Sequence, residues 1–514
     1  MKRIIDLIKT DFFIIFFLLI VAVIPRLILL DKIPPGIHGD EGWIGINALR
    51  IINDGYAPPV FVGDLQGTPT GNLYLVAFIL KIFGNSIHSL RLSMALLGII
   101  AIPLFYVFLR YFFDKKISFL TAFAMSFSLI HIYYSRVTFM VISAQFFQIL
   151  SLIFFIQFDK NRKLYSLILC AICTGLGLYS YYVFILFPFT LIVYLLTKIL
   201  ITKFSFKEIK YLLIFLLFFI LFSIPFERII FFQSKFYFDH FKSYSTIKEL
   251  LTKNSTITFI GLQAFFYHGI NKIKIFFIGK NVDYIDGFGK YYVFNYSYLI
   301  FALFGLVISF IKKYRQRFFV FCSFLFFLLA PNFLTFNGIY RRQVLNFINI
   351  FFFLAIFIDF VLNKITKKKL VRQFLFLLII ILVIYNSCFN LFVYFKKIPN
   401  DQETNWVFTQ DLTQTFLKLK NIYTPKDRVL FYSSRWDCNY ESIKFIIPNL
   451  NCEDRSTEFG KFSQSFPASK KYIFILLNEY LKNIEEIKKK YPKGTLIEVE
   501  NDNKDLIGII YKTD

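Results

Sequence analysis

At 514 residues the chain is long enough for several soluble domains, but 57% hydrophobic residues, 72 phenylalanines and a mean hydropathy of +0.59 exclude a soluble protein. A net charge of +25 invites a nucleic-acid reading. The basic residues instead lie in short runs between apolar stretches rather than on one amphipathic face, which excludes nucleic acid and leaves an all-α polytopic protein surrounded by membrane lipids.

A hydrocarbon core about 30 Å thick needs about 20 apolar residues per helix. Eleven stretches are read as spans: 12–30, 91–112, 117–134, 140–158, 164–178, 181–200, 209–226, 296–311, 318–336, 343–362 and 373–393. The basic start Met1-Lys2-Arg3 leads into the first without a small-residue cleavage site, so that stretch reads as an uncleaved helix. Basic residues gather in alternate connections, from Lys2, Arg3 and Lys9 to Lys364, Lys367, Lys368, Lys369 and Arg372. That alternation predicts a cytoplasmic N-terminus in an inner or plasma membrane. An odd number of spans then places the loops 31–90 and 227–295, and the tail with the C-terminus, outside the cytoplasm.

The first of these loops opens with a turn, Asp31-Lys32-Ile33-Pro34-Pro35-Gly36, followed by His38-Gly39-Asp40-Glu41 at the start of a helical pattern that Asp54-Gly55 ends. A second apolar piece, 73–83, is too short to span and is expected in the interface. The loop 227–295 shows modest helical periodicity near 247–251 and 257–266 and ends in an aromatic, glycine-rich segment holding Asp283, Asp286 and Tyr291, which suits a lid or an acceptor surface. From Asn400 the composition changes. A helix over 405–421, a strand over 428–434, a short helix near 440–447, a strand over 472–477, a helix over 479–490 and strands over 495–500 and 506–512 predict a small α/β domain. The expected domains are therefore a transmembrane domain over 1–395 and an extracytoplasmic α/β domain over 396–514, in which Cys438 and Cys452 could pair.

Two adjacent carboxylates at the mouth of an apolar bundle suit a general base, Asp40 or Glu41. The competing reading for Asp40 is a helix cap, since it precedes a helical pattern and favours its dipole. Arg91, Arg136, Arg341 and Arg342 all fall at the predicted outer headgroup level, where a guanidinium group suits a phosphate in bidentate geometry; the alternative is contact with lipid headgroups. His38 or His131 could join Asp40 and Glu41 in a divalent metal site, but the pattern requires no cofactor. Tyr133, Tyr134, Tyr179, Tyr181 and Tyr182 read as an aromatic belt.

The acidic pair after the first span, the segment Thr68-Pro69-Thr70-Gly71-Asn72-Leu73-Tyr74 running on to Ile82-Phe83-Gly84, and Leu90-Arg91-Leu92-Ser93 resemble the integral-membrane C-type glycosyltransferases. Tyr134-Ser135-Arg136 and Tyr340-Arg341-Arg342 resemble segments of the bacterial protein O-mannosyltransferase and lipid A aminoarabinose transferase group. The resemblance implies a cavity on the outer face, a polyprenyl-phosphate sugar as donor, a lipid, glycan or protein as acceptor, and Asp40 as the catalytic carboxylate. Direct attack of the acceptor on the anomeric carbon, assisted by a single base, predicts inversion. The alternatives are a transporter or flippase of lipid-linked saccharides, which would place ionisable residues near the bilayer midplane, and an O-antigen polymerase or ligase.

Overall fold

The computed structural model describes residues 9–57, 61–62, 68–232, 259–279, 285, 291–311, 318–335, 339–365, 368–457 and 471–513. The chain divides into two compact units: Met1–Ile28, Ala57–Asn72 and Met94–Tyr394 form one, and Leu29–Tyr56, Leu73–Ser93 and Phe395–Asp514 form the other.

The first unit is helical. Among the described residues six helices are long and apolar enough to cross a membrane: Ile87–Leu109, Val141–Asn161, Tyr182–Ile201, Phe206–Arg228, Val344–Ile365 and Lys369–Lys397. A seventh span arises if Lys115–Ser126 and Leu129–Arg136, bent by 56° at their junction, count as one. The expected spans at 12–30, 164–178, 296–311 and 318–336 appear as the shorter apolar helices Phe12–Leu27, Leu164–Gly177, Tyr296–Ile308 and Phe319–Leu334. By length and composition, then, fewer than eleven of the expected spans qualify among the described residues. This is a multi-pass membrane protein. Its buried face is packed by aromatic side chains, as where Phe352 meets Phe108, Phe112 and Phe113 at ring-centroid distances of 5.1 to 5.7 Å. Tyr133 and Tyr134, expected in an interfacial belt, are buried in this unit instead. The connection 227–295 holds a helix, Phe259–Ile278, longer than the periodicity suggested.

The second unit centres on a five-stranded sheet. Its middle strand Tyr472–Leu477 is buried along its whole length, which requires cover on both faces. It pairs in parallel with Arg428–Tyr432, which pairs in parallel with Cys452–Asp454, an edge strand too short to be read from the sequence. On its other side it pairs antiparallel with Leu506–Lys512, which pairs antiparallel with Thr495–Glu500. Phe416 from the helix Gln410–Lys420 packs on Phe431 at 5.5 Å on one face, while Phe474 meets Tyr491 at 5.5 Å within a cluster that includes Tyr432, Ile487 and Tyr511. The helix expected over 405–421 is broken into Gln402–Val407 and Gln410–Lys420. The break falls at Thr409, whose backbone is left-handed (φ 50°) and whose hydroxyl donates to the carbonyl of Ile37 at 2.9 Å.

Ile37 shows how the second unit takes in residues 29–56. Its amide donates to Thr413 Oγ1 at 3.0 Å, and its carbonyl accepts from Thr409 Oγ1 and, at 2.7 Å, from Ser442 Oγ. The helix Gly39–Asn53 then lies directly on the short helix Glu441–Ile446. Gly39, Gly42 and Gly45 recur every third residue on one helix face, and a Cβ on Gly42 would stand 2.7 Å from backbone atoms of Glu441 and Ser442. Only glycine permits that approach. The last piece of this unit begins at Phe395, and the unit also contains the acidic pair.

Candidate functional site

The helix Gly39–Asn53 is started by a capping box. His38 is the N-cap: its Nδ1 accepts from the Asp40 amide at 3.0 Å, while Glu41 Oε2 accepts from the His38 amide at 3.4 Å. Because Nδ1 accepts that N–H, the imidazole proton sits on Nε2. Capping, the alternative role for Asp40, is therefore carried by its neighbours. The Asp40 side chain is 50% exposed and lies 3.8 Å from His38 Nδ1, in the first turn where the helix dipole favours a carboxylate.

Glu41 and Arg91 are both fully buried and form a bidentate pair, with Nε to Oε1 at 3.1 Å and Nη2 to Oε2 at 3.0 Å. The rest of the guanidinium is taken up by three carbonyls: Leu30 at 3.2 Å, Pro34 at 2.9 Å, and Gly36. Arg91 thereby fixes the turn that leads into the helix. This geometry engages Glu41 and Arg91, expected as base and phosphate ligand, with each other. It also removes the carboxylate that a His38, Asp40, Glu41 metal site would need. Among the described residues no group of three or more His, Cys, Asp or Glu side chains is placed to hold a metal ion.

In the first unit, Arg136 is buried and donates through Nη1 to the carbonyls of Pro25 and Ile28, at 3.0 and 2.7 Å, with its Cζ 5.3 Å from the ring centre of Tyr394. Arg341 lies over Phe139 at 5.6 Å and Arg342 over Tyr182 at 4.8 Å. Tyr340 beside them anchors the segment by donating to the carbonyl of Phe276 at 3.1 Å. Sequence reasoning missed Arg26. It is fully buried and donates to the carbonyls of Ala22 and Ser126, at 2.9 and 3.2 Å, and to His131 Nδ1 at 2.8 Å. Ser126 closes the helix that breaks before Leu129, so the guanidinium caps a carbonyl freed by the bend. The available signal was an arginine inside an apolar span, directly after Pro25. Asn72 is buried and donates to Ser143 Oγ at 2.9 Å and to the carbonyl of Ser180 at 2.7 Å, tying the Thr68–Tyr74 segment into the bundle. Tyr291 is half-buried, and Asp283 and Asp286 lie outside the described residues.

In the second unit, Cys438 and Cys452 form a disulfide. It ties the loop ahead of the helix Glu441–Ile446 to the edge strand. Tyr440, in that loop, packs its hydroxyl against Gly39. Burial, together with the charges of Glu441 and Asp40, pushes its phenol up to about 12.

Residues 68–226 match the dolichyl-phosphate-mannose-protein mannosyltransferase family, a segment that begins beyond Asp40 and Glu41. No curated protein matches the chain by sequence. The fold is similar to that of ArnT from Cupriavidus metallidurans bound to undecaprenyl phosphate, at 11% identity and a TM-score of 0.57, covering 96% of this chain and 97% of that one. Similarity to the apo state of ArnT is at 10% identity, a TM-score of 0.53 and the same coverage. The archaeal oligosaccharyltransferase AglB from Archaeoglobus fulgidus aligns at 14% identity and a TM-score of 0.47, over 85% of this chain and 64% of its own. Residues 68–226 thus carry a mannosyltransferase-family segment, in a multi-pass membrane chain whose fold is similar to that of ArnT.

Proposed function

We propose that the protein transfers a sugar from a polyprenyl-phosphate donor to an acceptor hydroxyl or amine on the outer face of the membrane, with inversion, and that Asp40 is the base. The observation that carries this reading is the division of labour between neighbours: His38 and Glu41 cap the helix, Glu41 pairs with Arg91, and the Asp40 carboxylate is left half-exposed at the same helix end. The mannosyltransferase-family segment supports the reaction class. Undecaprenyl phosphate bound to ArnT supports the chemistry of the donor's carrier.

In the reaction, Asp40 takes the proton of the acceptor group as that group attacks the anomeric carbon from the face opposite the phosphate. The bond between the anomeric carbon and the phosphate oxygen breaks, and polyprenyl phosphate leaves with the electron pair. Arg136, Arg341 and Arg342 are assigned to the phosphate charge that develops. The chemistry needs no resident cofactor. The acceptor is a lipid, glycan or protein, and the N-terminus is cytoplasmic with the C-terminus outside.

The test is transfer or hydrolysis of a panel of radiolabelled polyprenyl-phosphate sugars by the full-length protein in lipid nanodiscs. Asp40→Asn is expected to lower turnover by about 10²- to 10⁴-fold while donor binding persists. Wild-type activity in that variant would remove Asp40 from the mechanism.

A further inference from the structure

The second unit contains a cleft of about 490 Å³, separate from the Asp40 helix end, walled by the turn after the first apolar helix, the start of the helix Ile87–Leu109, the helix Gln410–Lys420 and Asp502. This volume lies in the range of small-ligand sites, about 300–1,000 Å³. Its charged lining is balanced: Lys32 and Lys420 against Asp31 and Asp502. Among the described residues none of these four enters an ion pair, although other lysines and carboxylates of the same unit do, as Lys512 does with Asp427 at 3.2 Å. The Lys420 ammonium is turned to the backbone carbonyl of Asn85 at 3.4 Å. Asn85 also lines the cleft; its Nδ2 donates to the carbonyl of Phe445 at 2.9 Å, while its buried Oδ1 accepts no hydrogen bond from the described residues.

A small anion would meet two carboxylates here and a small cation two ammonium groups, so neither is favoured by charge. A neutral ligand rich in hydroxyls satisfies both, because each hydroxyl can donate to Asp31 or Asp502 and accept from Lys32 or Lys420. Hydrogen bonds of this kind, with one charged partner, are the stronger ones. Resting on the glycosyltransferase reading above, we infer that this cleft is a binding subsite for an uncharged saccharide, the glycan part of the acceptor. The wall of the cleft is also joined to the Asp40 helix. Asp31, Lys32 and Pro35 alternate with Leu30, Pro34 and Gly36, whose carbonyls hold Arg91, and Arg91 holds Glu41. A saccharide seated here therefore bears on the turn that sets the helix carrying Asp40.

The experiment titrates the full-length protein in nanodiscs with four neutral disaccharides, maltose, lactose, mannobiose and chitobiose, by saturation-transfer NMR and calorimetry. Inorganic phosphate serves as the anion control. At least one disaccharide is expected to bind, and Lys420→Ala and Asp502→Asn are each expected to weaken it by about ten-fold. Both positions are exposed, and an intact Cys438–Cys452 disulfide in each variant reports folding. The inference is overturned if none of the four disaccharides binds, if both variants bind like wild type, or if phosphate binds in their place. Donor turnover by the wild type, measured without any disaccharide, tests the glycosyltransferase reading separately. Turnover that depends on Asp40 alongside absent disaccharide binding would sink only the subsite.

Discussion

Arg91 and Arg26 are both buried guanidinium groups on apolar helices, and they are satisfied in opposite ways. Arg91 faces a carboxylate, Glu41, with three carbonyls filling its remaining donors. Arg26 faces only neutral acceptors among the described residues: two carbonyls and the Nδ1 of His131. The first arrangement is a charge pair that holds a turn in place. The second is a cation capping broken helices. The difference teaches that the cost of losing a buried arginine depends on what is left behind: a stranded carboxylate in one case, unfilled dipoles in the other.

The largest effect on stability is expected from Arg91→Met, which strands Glu41 in a fully buried position and should cost about 3–5 kcal/mol. It is read as a fall in apparent Tm in nanodiscs. The double variant Glu41→Leu with Arg91→Met should recover most of that loss, since it leaves no buried charge; failure to recover would mean that the carbonyl contacts, not the ion pair, carry the turn.

Next in size is Gly42→Ala. The added methyl meets backbone of the helix Glu441–Ile446 at 2.7 Å, so overpacking of about 1–3 kcal/mol is expected. Limited proteolysis of residues 400–513 would show it as faster cleavage, and unchanged cleavage would refute the glycine-mediated packing. Arg26→Met should cost less than Arg91→Met, about 1–2 kcal/mol, because it frees only neutral acceptors. An equal or larger loss would reveal that Arg26 compensates a charge.

Smallest is the cap. His38→Ala should cost about 1 kcal/mol and Asp40→Asn less than about 0.5 kcal/mol. The reverse order, measured by thermal unfolding of the two variants side by side, would return the capping role to Asp40 and weaken its assignment as base.

Much of the architecture was legible in the sequence, because its signals are local. Apolar stretches give the helices, and short runs rich in β-branched and aromatic residues gave the strands Tyr472–Leu477, Thr495–Glu500 and Leu506–Lys512 at their observed bounds. The helix after His38 and its stop at Asp54-Gly55 were legible for the same reason: Gly55 takes a positive φ of 66° that turn chemistry announces. The edge strand Cys452–Asp454 was not, since three residues carry no periodicity. The break at Thr409 was also hidden, because its hydroxyl answers a carbonyl at Ile37, 372 positions away.

The candidate site was legible as a set of residue types and not as a set of roles. Composition and position alone single out Asp40, Glu41 and Arg91. Which of two adjacent carboxylates is buried depends on where a partner arginine 50 positions later is brought by packing, and no local pattern encodes that distance. The glycine spacing at 39, 42 and 45 was visible, but it had meaning only once the helix Glu441–Ile446 lay against it. The sequence by itself determined that this is a membrane protein built of apolar helices with an α/β tail, because hydrophobicity and periodicity act over neighbouring residues. Tertiary structure alone decided that the acidic loop belongs with the tail, that Glu41 is neutralised and Asp40 exposed, and that four charges surround one cleft, because each of these depends on contacts between residues distant in the chain.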